Sequence, residues 1–163
     1  MFWMLMIEGL GLSVILFLAC IIGIRNGGVG LLHLYHKDVQ DRCVELGLTT
    51  HKRIMQRAVS VKSIVITVDI IYLILCVYGI NGVRGFTDGF LHIFVILSIM
   101  NLFDRFVIDE LWVGHTNAWT ILGTEDLKPY ITNKDRAVKW IFGTAGFAAM
   151  SAALAGIMAL ILK

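Results

Sequence analysis

The sequence predicts an all-α polytopic membrane protein, with four transmembrane helices and one amphipathic interfacial helix. Three observations predict it. Of 163 residues, 58% are hydrophobic and only 16% charged, against roughly 45–50% and 25% in soluble domains. The excess is gathered into four blocks, at about 2–24, 58–80, 90–110 and 137–162, each long enough to meet the roughly 20 apolar residues that cross a bilayer. Between the first two blocks, apolar residues recur at three- and four-residue steps, the mark of a helix with one apolar face. Four spans fill the chain, so a single transmembrane domain is expected over 1–163.

The first span ends at Arg25-Asn-Gly-Gly-Val-Gly30, whose glycines accept positive φ and stop a helix. That spacing fits neither the dinucleotide nor the P-loop pattern. The N-terminal segment has no basic approach and carries Glu8 inside its apolar run, so it is expected to stay as a span and not to be cleaved as a signal. Phe-Leu-Ala-Cys20 is a poor lipoprotein cleavage box for the same reason.

A helix is predicted over about 29–46, too polar to span. Leu32, Tyr35, Val39, Cys43 and Leu46 form its apolar face, and His33, Lys37, Gln40 and Asp41 the opposite one. Asp38 and Arg42 are placed for an i,i+4 pair, and Gly47 for a stop. Such a helix lies on the membrane surface or against the bundle. His33 and His36, at i,i+3, could be metal ligands, but on a charged helix they read as solvated side chains.

His51-Lys-Arg-Ile-Met-Gln-Arg57 is a basic approach to the second span. Lys62, one turn inside, can snorkel to the interface. Asp69, near mid-span, cannot, and should face the bundle. A turn is predicted over Asn81–Gly89 from its Asn-Gly pair and further glycines. The third span then contains His92 and continues to about Gly114. That length, about 37 Å at 1.5 Å per residue, exceeds a ~30 Å hydrocarbon core. The helix should project past the membrane near Asp109, with Asp104 and Arg105 at the interface.

The segment from His115 to Arg136 mixes polar residues with Trp119, Ile121, Leu122, Leu127, Tyr130 and Ile131. It should fold back onto the membrane face. In the fourth span Ala145, Ala149 and Ala153 repeat at four, as do Ala148, Ala152 and Gly156. Such small-residue faces let helices approach closely, so a homo-oligomer through this span is a candidate partnership, alongside membrane lipids. There is no internal repeat.

All of the 14 Lys/Arg except Arg84 and Lys163 lie in or beside the two longer loops. The positive-inside rule puts those loops in the cytoplasm and both termini outside. The expected location is the cytoplasmic membrane of a prokaryote. The small net charge of +2 and the lack of a basic run point away from nucleic acid. Cys20, Cys43 and Cys76 have neither disulfide nor metal spacing and read as small buried hydrophobes.

The densest polar stretch is Asn101–Asn117. Asn101, Arg105 and Asp109 follow at i, i+4 and i+8 on one helix face, flanked by Asp104 and Trp112. Three roles compete for it. One is structural, pairing Arg105 with Asp109 and Lys62 with Asp104 at the interface. The second is a site for a lipid-like or phosphorylated small molecule in the inner leaflet. Asn101, Arg105, Lys62 and Trp112 would bind it, with Arg105 and Lys62 on an anionic head group. Asp104, Asp109 and Glu110 would offer oxygens to a divalent cation, and His115, with Asp109 and Glu110, would supply acid–base chemistry. The third is a transport path using the intramembrane groups Glu8, Asp69 and His92 with Lys62. His92 is the only histidine well inside a span, which argues against haem. No catalytic motif is present, so no reaction class is assigned.

Overall fold

A computed structural model describes residues 2–25 and 27–162; Met1, Asn26 and Lys163 lie outside the described residues. The fold is all-α, and four of its helices are long and apolar enough to cross a membrane. They are α1 (Phe2–Ile24), α3 (His51–Ile80), α4 (Phe86–Val113) and α5 (Asn133–Ile161). Between α1 and α3 lie a 3-10 turn, Val29–Leu34, and the short helix α2, Lys37–Glu45. The chain is an integral membrane protein of helical-bundle type. Its central member is α4, which packs along α1 on one side and α5 on the other.

Three boundaries differ from those expected, each for a local reason. Helix α3 starts at His51, not near Ala58, because the Thr50 side chain accepts from the Arg53 N–H at 3.3 Å and caps it. The expected turn before α4 is shorter: Gly85, at φ 84°, ends it, and Phe86 already begins the helix. Helix α5 starts at Asn133 because Thr132 and Asp135 form a reciprocal capping box.

The helix expected over 29–46 is broken. Tyr35 is extended (φ −86°, ψ 163°) and divides the 3-10 turn from α2. Its hydroxyl donates to the Trp119 carbonyl at 2.7 Å, and its own carbonyl accepts from the Gln40 amide at 2.9 Å. These bonds hold the break open. The expected apolar face survives it: Leu32, Tyr35, Val39 and Cys43 are all buried, and only Leu46 stays exposed. The face packs against protein, since it meets Trp119, Ile121 and Tyr130 from the loop before α5. Arg42 pairs with Asp126 at 3.3 Å instead of with Asp38, whose carboxylate accepts from the Val39 N–H at 2.9 Å.

Two cores result. One lies within the spans, around Leu12, Leu73, Ile93, Ile96, Leu97 and Leu154. The other lies at the loop end, where the break, the fold-back loop and the ends of α1, α3 and α4 meet. His33 sits in this second region, half-buried, with its Nδ1 unpartnered among the described residues. Burial, helped by the Lys62 charge, pushes its pKa down from the usual histidine value. The unfolded chain therefore takes up this proton first, and the contribution of His33 is intact above about pH 6.5 and lost as pH falls below it. Replacing His33 with Gln should flatten the acid limb of a stability–pH curve. An unchanged limb would remove His33 from that dependence.

Candidate functional site

The last third of α4, Asp104–Val113, winds as a π-helix. In an α-helix, residues five apart are separated by about 140° around the axis. The wider i→i+5 turn brings them near to one face, and such turns recur at functional sites. This is why Asp104, and not only Arg105, shares a face with Asp109.

Three nitrogens of the Arg105 guanidinium reach three acceptors. Nε donates to Asn101 Oδ1 at 3.3 Å, Nη1 to Asp109 Oδ2 at 2.5 Å, and Nη2 pairs with Asp104 Oδ2 at 3.2 Å. Lys139, from α5, adds Nζ to both Asp109 oxygens at 3.1 and 3.0 Å. Asn101 and Asp109 are buried. Two cations and two carboxylates thus balance around the buried Asp109, which is what makes its burial tolerable.

A cavity of about 310 Å³ opens beside this network. Asp104, Arg105, Asp109 and Lys139 form its polar side. Leu16, Cys20, Leu34, Ile108, Val113 and Ile131 make the apolar walls, and Tyr35, Trp119 and Tyr130 close the loop side. A mostly apolar hollow with a few convergent polar groups is the usual form of a small-molecule site.

The other expected residues are distributed elsewhere. Lys62 is exposed on α3, and the place expected for it beside the carboxylates belongs to Lys139. Trp112 packs between Phe17 (ring centroids 4.9 Å apart) and Trp119 (5.4 Å), in the loop-end core and off the cavity wall. Glu110 points away to Arg136, at 2.8 Å. His115 is exposed, with Nδ1 2.7 Å from the Glu110 carbonyl oxygen, which accepts from it. His115, Asp109 and Glu110 therefore do not converge on one cavity. Nor do Asp104, Asp109 and Glu110 gather around one point: among the described residues no three His, Cys, Asp or Glu are grouped to hold a metal ion.

The intramembrane groups are also apart. The buried Glu8 carboxylate accepts from the Asn81 amide at 2.9 and 3.1 Å. Asp69 is buried and has no hydrogen bond or ion pair among the described residues. His92 faces a separate hollow with Asn81, Arg84 and Asp88, which neither Glu8 nor Asp69 lines.

The residue that reasoning from sequence missed is Lys139. A signal for it existed: α4 and α5 run in opposite directions, so the end of one and the start of the other lie at the same depth. Comparison with protein-family models, with curated proteins and with solved structures gave no match.

Proposed function

We propose that the protein binds a lipid-like or phosphorylated small molecule in the cavity at the loop end of the bundle. The observation that supports this is the apolar hollow of about 310 Å³ set against the Asp104–Arg105–Asp109–Lys139 network. Apolar walls suit a hydrocarbon body. The network offers Arg105 and Lys139 to an anionic group, or Asp104 to a cationic one, at the cost of only part of its internal pairing. The excess of Lys and Arg at this end favours a cytoplasmic position under the positive-inside rule, and in this reading the ligand enters from the inner leaflet of a prokaryotic cytoplasmic membrane. Binding is the function proposed, because the polar groups beside the cavity are engaged in charge pairing with one another.

Native mass spectrometry of the detergent-solubilised protein tests it. One retained lipid-sized adduct is expected, and Leu34→Trp, at an exposed position on the cavity wall, should remove it while the protein stays folded. Adducts that Leu34→Trp leaves unchanged would place the lipid on the outer surface and count against the cavity.

A second role, as a subunit of a transporter, is favoured by one observation: Asp69, an ionisable group near mid-span, is buried and pairs with no cation among the described residues. The exposed Ala145, Ala149 and Ala153 leave a face of α5 free for a further copy. Proton flux in liposomes, compared for wild type and Asp69→Asn, separates the two. Equal flux at the level of empty liposomes would end the transport role.

A further inference from the structure

A second cavity, about 430 Å³, lies within the loop between α4 and α5, and Val113, Trp119, Tyr130 and Ile131 line both it and the first. Its polar lining differs from that of its neighbour. His115, Thr116, Asn117, Lys128 and Arg136 contribute, and no carboxylate among the described residues does. Two donors of its lining residues are buried without a partner among the described residues, the Trp119 indole Nε1–H and the Arg136 Nε–H. Trp119 is only 4% exposed. Native interiors rarely leave buried donors unpaired, so these two ask for an acceptor that the protein itself does not provide.

The charged groups nearby are only partly engaged. Arg136 gives Nη1 to Glu110 at 2.8 Å, which leaves Nε free. Lys128 is exposed, donates to Asn117 Oδ1 at 3.0 Å, and can turn into the cavity on its flexible stem. Trp119, Arg136 and Lys128 are three separate donors from three points of the loop and of α5. A carboxylate has lone pairs for three donors but holds them in one plane. A tetrahedral oxyanion turns its oxygens in separate directions, which suits donors that come from three separate points, in short charge-assisted bonds.

We infer that this loop cavity is an anion subsite for a phosphoryl group, either the head of an anionic lipid or a free phosphate. In its lipid form the inference rests on the amphiphile site proposed above, with the hydrocarbon body in the first cavity and the phosphoryl group beyond Trp119.

Isothermal titration of the full-length protein in detergent tests this with three probes: inorganic phosphate, a short-chain phosphatidic acid, and the matching diacylglycerol without phosphate. Phosphatidic acid is expected to bind at least about tenfold more tightly than diacylglycerol, the ratio that one good charged contact supplies. Arg136→Lys keeps a cation for Glu110 and removes the buried Nε–H, and Lys128→Gln changes an exposed residue; neither residue lines the first cavity. Each should erase most of that preference and leave diacylglycerol binding unchanged. If phosphate binds, is weakened by both substitutions, and neither lipid binds better than it, the subsite takes free phosphate and the amphiphile site is lost. If the two lipids bind alike and neither substitution alters them or phosphate, the anion subsite is overturned while the amphiphile site stands.

Discussion

Replacing Asp109 with alanine is expected to lower stability by about 3 kcal/mol, the scale of breaking a buried ion pair from one side. Asp109 is 6% exposed and receives both Arg105 and Lys139. Its removal leaves Arg105 with Asp104 and Asn101 only, and Lys139 with no acceptor in the network. The neighbouring carboxylate supplies the control. Glu110 pairs with Arg136 where the side chains are 39% and 36% exposed, so Glu110→Ala should cost less than about 1 kcal/mol. Thermal unfolding in a fixed detergent reads both variants. Equal losses would mean that depth, and with it the buried network, has been misplaced.

The second large effect is expected at Gly30. A side chain there would run into the carbonyl oxygen of Gly23, a backbone atom that cannot turn aside. The close approach fixes the 3-10 turn against the end of α1, and through it the Tyr35 break that walls the cavity. Gly30→Ala should therefore cost about 1–3 kcal/mol, the range for overpacking. It should also weaken ligand binding, because Leu34 and Tyr35 would shift with the turn. Gly146, on α5, has open space around its Cα, and Gly146→Ala should be neutral or slightly stabilising. A Gly30→Ala variant as stable as Gly146→Ala would show that the turn can move away freely.

Much of this architecture is written locally in the chain. The four apolar helices and the apolar face from Leu32 to Cys43 depend on hydrophobicity and period, and both act over neighbouring residues. That the apolar residues of the polar loop need cover was legible, but the partner was not: Trp119, Ile121 and Tyr130 pack against Leu32, Tyr35 and Val39, and Leu122 stays 85% exposed. The break at Tyr35 was not, because it depends on a carbonyl 84 positions away. The exchange of Lys62 for Lys139 was not, because a salt-bridge partner across two helices is set by relative depth and rotation. The π-turn was not, and without it Asp104 sits on a different face from Asp109. The second cavity lay hidden for the same reason: Lys128 and Arg136 read as ordinary loop cations until the fold brings them beside Trp119.

The most direct test of a ligand-holding cavity is photo-crosslinking in the native membrane with a phospholipid that carries a diazirine in its chain, followed by mapping of the adducts. Ile108 is only 3% exposed, whereas Ile64 and Ile157 are 63% and 54% exposed on outer helix faces. A lipid inside the cavity is expected to label Ile108, together with Leu16 and Ile131, at least as strongly as those outer positions, and Leu34→Trp should abolish the inner labelling alone. Adducts that follow surface exposure, present on Ile64 and Ile157 and missing from Ile108, would contradict an occupied cavity.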